Sequence, residues 1–180
     1  MIKYLKKLNL LRCFFSLLII LSSILSASIF LYFPNRKAYA YNQLGWWLVD
    51  SGKHLDWDGS CSYMTQWYEG VKRWNSHRPG VIRVDTFWII EDVKISDVSI
   101  TNSATAATTY SNGKIRFNVI IMNTLTDDEK LNVVMHELGH AMGLDHSSSE
   151  NSIIYTYVTS ITSLSQDDKN GYDYLYNNKY

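Results

Sequence analysis

Three of the chain's five histidines fall within eleven residues, His136-Glu137-Leu138-Gly139-His140-Ala141-Met142-Gly143-Leu144-Asp145-His146. His136 and His140 are four apart, so on a helix they share one face, with about 5–6 Å between Cβ atoms. Both rings can then reach one metal ion. Glu137 follows the first histidine directly, which is where a general base stands beside metal-activated water. Gly143 can adopt the left-handed backbone that stops a helix and turns the chain, so that His146 returns to the same ion. A bare H-E-x-x-H also arises as a surface charge pattern. Here the glycine and third histidine stand at the further offsets the metal site needs. Val133, Val134, Leu138, Ala141 and Leu144 also supply an apolar side for packing.

These residues need elements to hold them. Thr126-Asp127-Asp128-Glu129 reads as a capping box, with Thr126 as N-cap and Glu129 reaching back. It predicts a helix from there through His136 and His140 to about Met142. Upstream, Ser111-Asn112-Gly113 is the strongest turn signal in the chain, because Asn-Gly tolerates the positive backbone angles of a tight hairpin. It joins a strand over Thr105–Tyr110 to one over Lys114–Met122, where Ile115, Phe117, Val119 and Ile121 alternate with Arg116 and Asn118. Val81–Ile90 and Val93–Ile100 read as strands from their β-branched and aromatic content. Tyr63, Trp67, Val71 and Trp74 recur at helical spacing, so a helix with a tryptophan-rich core face is expected between Cys61 and Asn75. It is closed by Arg78-Pro79-Gly80, and the segment before it reads as strand or coil. Ser165 and Asp168 cap a last helix. The small, polar Thr105–Thr109 strand is either a solvent-exposed edge or an edge that pairs with an extended peptide. The neighbouring metal motif favours the peptide.

The full pattern H-E-x-x-H-x-x-G-x-x-H resembles the signature of the metzincin zinc peptidases. Asp145-His146-Ser147-Ser148 and the stretch Leu164-Ser165-Gln166-Asp167-Asp168-Lys169-Asn170-Gly171-Tyr172-Asp173-Tyr174-Leu175-Tyr176 are similar to the matrixin branch of that group. The resemblance covers residues 41–180; it is specific only from about residue 104 onwards and rests on element order alone before that. It implies an α+β, zincin-like fold: a twisted, mostly parallel sheet with an antiparallel edge strand, an active-site helix and a C-terminal helix. It implies one catalytic Zn²⁺ on His136, His140 and His146, and Glu137 as the catalytic base acting on zinc-bound water. The expected activity is that of an endopeptidase on extended polypeptides. Ala106, Ala107 and Thr108 of the edge strand, with Tyr155 and Tyr157 beyond the third histidine, are the candidate substrate-binding residues. Tyr155 and Tyr157 could equally be core fillers.

Two departures stand out. Aligning Ser152-Ile153-Ile154-Tyr155-Thr156 on the metzincin methionine turn puts Ile154 where methionine is expected, and Thr156 where matrixins usually carry proline. Isoleucine is apolar and of similar volume, a type of exchange that usually costs under about 1.5 kcal/mol. No counterpart of the Asp- and His-rich loop of animal matrixins occurs between Ile95 and Met122. A second zinc is therefore not expected, and calcium is open but not indicated. The alternative function is a catalytically silent, secreted zinc-binding interaction protein on the same fold. The intact Glu137 argues against it.

Lys3, Lys6, Lys7 and Arg12 precede an apolar run from Cys13 to Phe33, Pro34 and Ala38-Tyr39-Ala40. This reads as a signal peptide over residues 1–40, cleaved between Ala40 and Tyr41. An uncleaved anchor is the competing reading, since the run is long enough to span a bilayer. Both place residues 41–180, one domain in size, outside the cytoplasm: secreted, or held at the cell surface through residues 13–33. Once cleaved, no stable membrane association is expected, and a monomer acting on a peptide or protein is. Formal net charge is zero and no basic run interleaved with aromatics follows residue 40, which excludes nucleic acid as a partner. Cys61 is the lone cysteine after the leader, so no intrachain disulfide is expected. It reads as a buried thiol rather than a residue that blocks the metal. His54 and His77 read as surface residues.

Overall fold

The computed structural model describes residues 41–86 and 91–180. The signal peptide or anchor read in residues 1–40 lies outside the described residues, as does the 87–90 part of the strand expected over 81–90. The described elements are β1 (Asn42–Gln43), β2 (Leu55–Gly59), α1 (Met64–His77), β3 (Ile82–Val84), β4 (Val93–Val98), β5 (Ala107–Tyr110), β6 (Lys114–Asn118), α2 (Val119–Met122), α3 (Asp127–Ala141), β7 (Leu144–Asp145) and α4 (Gln166–Asn178). Five strands form one sheet in the order β3-β2-β4-β6-β5. All neighbours are parallel except the edge strand β5, which runs antiparallel to β6. This is the mixed, mostly parallel sheet with an antiparallel edge that the resemblance implies. A second, two-stranded ribbon pairs β1 with β7.

The core lies where α1 and α3 pack on this sheet. Tyr63, Trp67 and Trp74 of the predicted helical stripe are buried, and Val71 packs against them. Trp67 meets Phe117 of β6 edge-on at 6.3 Å and Trp57 of β2 at 5.3 Å, the tilted geometry that aromatic quadrupoles favour. The two helices cross closely at Gly70, where an added Cβ would stand 2.8 Å from Val134 Cγ1. Trp74 Nε1 donates to the Met135 carbonyl at 3.0 Å. That bond supplies a partner for a polar atom which burial would otherwise penalise. α4 completes the packing, with Tyr172 edge-on to Trp74 at 5.5 Å.

The strand expected over Lys114–Met122 stops at Asn118, and Val119–Met122 instead forms the single helical turn α2. Asn118 is the reason. Its buried amide accepts from Ile100 N and Ile120 N and donates to the Ile100 and Thr105 carbonyls, so it caps a helix where the alternation predicts more strand. The strands expected over Val81–Ile90 and Val93–Ile100 are described only over Ile82–Val84 and Val93–Val98. β2, read only as strand or coil, is an interior strand. Its Asp56 is buried and forked by Arg83 Nε and Nη2 at 2.9 and 2.8 Å. His54 and His77 are half-buried rather than simply exposed, and His77 bonds Asp173 at 2.9 Å. Cys61 is buried, and that burial pushes its thiol up to about 11.

Candidate active site

α3 carries the first two histidines and the carboxylate because its start and end are both specified. The Thr126–Glu129 capping box is present in full. At the other end Gly143 has φ +95°, and a Cβ there would stand 3.0 Å from the Trp46 carbonyl oxygen and 3.1 Å from Trp47 Cβ. Glycine is thus required by conformation and by space. The apolar side of the helix is buried as predicted: Val133, Val134, Leu138 and Ala141, followed by Leu144, are all in the core.

His136, His140 and His146 converge. Their ring centroids are 4.5, 5.2 and 4.9 Å apart, and one nitrogen from each lies within 4.8 Å of the others. A single ion is within reach of all three. His136 Nδ1 lies 2.9 Å from the Ile153 carbonyl oxygen and His140 Nδ1 2.7 Å from that of Leu144. A carbonyl only accepts, so both Nδ1 atoms carry protons and both Nε2 lone pairs are left for a metal. Burial, reinforced by the neighbouring His140, pushes His136 down to about 3. Burial also lowers His140. The rings are therefore neutral at neutral pH, the form that binds metal. Three converging imidazoles suit zinc, whose sites are built from such nitrogen donors.

Glu137 is buried beside them, and desolvation pushes it up to about 7 against the opposing hydrogen bond from Thr109. Thr109 Oγ lies 2.6 Å from Glu137 Oε2 and 3.0 Å from the Glu137 carbonyl oxygen. The edge strand thereby holds both the side chain and the backbone of the carboxylate residue. Thr109 is absent from the sequence-derived candidates, which end at Thr108. Period-two alternation puts Thr109 on the same face of β5 as the buried Ala107, and that was the available signal.

A cleft of about 570 Å³ runs over the histidines. Ala106, Ala107, Thr108, Tyr155 and Tyr157 all line it, as do Leu44, Trp46 and Asn132, which the sequence did not single out. Asn132 is buried in the wall of the cleft, donating to the Ile161 carbonyl and accepting from Thr159 N. It fastens the segment that follows the tyrosines to α3. Elsewhere, Asp50, Asp56 and Asp92 could reach one cation, but Arg83 already occupies both oxygens of Asp56.

The sequence pattern of the family described as Matrixin (Peptidase_M10) matches residues 47–177. The chain belongs to the matrixin family. It is 36% identical over 69 residues to Metalloendoproteinase 5-MMP of Arabidopsis thaliana, a match covering 37% of this chain and 19% of the relative. To Metalloendoproteinase 2-MMP of the same plant it is 47% identical over 47 residues, 24% of this chain and 12% of the relative. The chain thus matches less than a fifth of the length of each of these relatives.

In this matrixin the turn after His146 is fastened by α4. Asp168 is buried and accepts from Ser152 Oγ at 2.5 Å, Ile153 N at 3.1 Å, and Ser165 N and Oγ at 2.8 and 2.7 Å. The capping box of the last helix is therefore also the anchor of the turn, whose Ile153 carbonyl orients His136. Ile154 is buried against Gly139 of α3. A Cβ at 139 would overlap Ile154 Cδ1 and stand 3.3 Å from Ile154 Cγ1 and from Trp74 Cζ2. The isoleucine fills the space left by the glycine.

Proposed function

We propose that this matrixin domain is a zinc-dependent endopeptidase acting outside the cytoplasm on extended polypeptides. The observation that carries the reading is the pairing of two oriented imidazoles, each with Nδ1 committed to a carbonyl, with a buried carboxylate held by Thr109. His136, His140 and His146 would hold the zinc. Bound there, zinc supplies a Lewis acid for the peptide carbonyl and for water. The substrate main chain pairs along the open edge of β5, with the residue after the cut directed to the wall formed by Tyr155 and Tyr157. Glu137 takes a proton from the attacking water at its carboxylate oxygen and delivers it to the leaving amine nitrogen, as the C–O bond forms and the C–N bond breaks. Thr109 engages Oε2, which leaves Oε1 for that proton. Residues 1–40 direct export, and the exported domain acts as a monomer.

The test is to incubate the exported protein with a diverse peptide pool, with and without a zinc chelator, beside Glu137→Ala. Cleavage by wild type that the chelator abolishes is expected, and loss of cleavage in Glu137→Ala with zinc content retained. Equal cleavage by Glu137→Ala and wild type would remove Glu137 as the base. No chelator-sensitive cleavage of any peptide would refute the activity.

A further inference from the structure

The two ends of the cleft are built differently. Towards the start of α3 it is bounded by Asn132, Val133 and the segment containing Tyr155 and Tyr157; beyond the end of α3 it is bounded by Leu44, Trp46 and Asp145. That second end is made by the segment that follows β1. Asn42 opposes Asp145 and Gln43 opposes Leu144 in the antiparallel ribbon. The pairing continues with Leu44 N donating to the Gly143 carbonyl at 3.0 Å and Leu48 N to that of Ala141 at 2.9 Å. Asn42 Nδ2 also donates to the His146 carbonyl at 2.9 Å. The segment is thus stitched along the loop that carries the third histidine. Asn42 and Asp145, directly opposed, share one face of the ribbon, and Leu44 and Asp145 both line the cleft.

Asp145 presents a carboxylate there. Its Oδ1 accepts from His146 N at 2.7 Å and stands 3.9 Å from His146 Nδ1, and its side chain keeps 41% exposure. Among the described residues no lysine or arginine forms an ion pair with it, and none lines the cleft. A carboxylate beside an aliphatic and an indole wall matches a long side chain with an apolar stem and a cationic head. Such side chains lay their methylenes on apolar surface and keep the charge at the polar rim, and a cation is attracted to an indole face.

We propose that Leu44, Trp46 and Asp145 form a subsite for a lysine or arginine of the substrate, on the amino-terminal side of the scissile bond. This rests on the peptidase reading above, in which the Tyr155–Tyr157 wall takes the residue after the cut. Val133 and His140 of α3 both line the cleft. Seven residues at 1.5 Å each separate them by about 10 Å, which an extended peptide advancing about 3.3 Å per residue covers in about three steps back from the residue after the cut. The basic side chain therefore stands at about the third residue before the cut.

The experiment compares peptides that differ only at that residue, arginine against norleucine against glutamate, using the zinc-loaded exported protein, Asp145→Asn and Trp46→Ala. Asparagine keeps the acceptor for His146 N and removes the charge. Wild type should favour arginine over norleucine in kcat/KM by about tenfold and disfavour glutamate. In Asp145→Asn the arginine-to-norleucine ratio should fall towards one, and Trp46→Ala should weaken cleavage of both peptides. The same ratios should appear in binding to zinc-loaded Glu137→Ala, followed by calorimetry, which reads the subsite without turnover. Equal binding of the three peptides, or an arginine preference undiminished in Asp145→Asn, would overturn the proposal. Binding with the expected ratios but no cleavage by wild type would instead refute the activity and leave the subsite standing.

Discussion

Gly139 and Ile154 offer a test of whether the turn packs under the histidine helix as described. A glycine in a helix interior costs roughly 0.5–1 kcal/mol relative to alanine, so Gly139→Ala alone should stabilise α3 by that amount. The new Cβ, however, overlaps Ile154 Cδ1 and meets Trp74 Cζ2 at 3.3 Å, and overpacking of this kind costs about 1–3 kcal/mol. The net result in the wild-type background is a loss of roughly 0–2.5 kcal/mol. Ile154→Val deletes the overlapping Cδ1 and by itself costs about 0.5–1.5 kcal/mol. In the Ile154→Val background only the 3.3 Å neighbours remain and must yield by a few tenths of an ångström. There Gly139→Ala should be neutral to stabilising by up to about 1 kcal/mol. The same substitution thus changes sign between backgrounds, with a coupling of about 1–3 kcal/mol. Urea denaturation of all four proteins at one fixed zinc concentration measures it, because binding then contributes under the same conditions to each. Additivity within about 0.5 kcal/mol would refute the contact.

Thr109→Val should lower kcat by at least about tenfold, the loss of one hydrogen bond to a charged group, with zinc content unchanged and Thr109→Ser restoring most of the rate. Wild-type kcat in Thr109→Val would show that the threonine does not position Glu137. Asp168→Ala strips the acceptor from Ser152 Oγ, Ile153 N and the cap of α4, and should destabilise the protein by about 3 kcal/mol. A urea midpoint matching wild type would mean those donors find water instead. Cys61 should resist iodoacetamide in the folded protein and react fully in denaturant; rapid labelling of the folded form would contradict its burial. Its thiol stays protonated to about 11 in the folded chain, against an ordinary value of 9.0. The unfolded state ionises first, so stability is lost as pH rises through that window. Cys61→Ala should show a shallower decline there, and an identical slope would count against the shifted thiol.

How much was legible follows from how local the interactions are. Both capping boxes, the Asn-Gly hairpin and the helical spacing of Tyr63, Trp67 and Trp74 lie within a few residues of one another, and the structure contains each. β2 alternates Leu55 and Trp57 with Asp56 and Asp58, but two aspartates and a glycine in five residues read as loop, and only Arg83, 27 residues away, lets Asp56 be buried in a strand. β6 was read too long because the cap on Asn118 depends on Ile100 and Thr105, which only the folded chain brings to it.

The candidate site divides along the same line. Residue types and spacing along one helix and its closing glycine were enough to name His136, Glu137, His140 and His146, since their geometry is set by the helical repeat and one turn. His140 takes its orienting carbonyl from Leu144, four residues on, but the other partners are not local. The carbonyl that fixes His136 comes from 17 residues downstream, the hydroxyl on Glu137 from 28 upstream, and the amide that holds the His146 backbone carbonyl from 104 upstream. No periodicity encodes such pairs, because each depends on which sheet edge, turn and ribbon are packed against α3. The sequence by itself determined which atoms could do the chemistry. The tertiary structure decided which nitrogen each oriented histidine leaves free, what holds the carboxylate, and that the segment after β1 forms one end of the cleft.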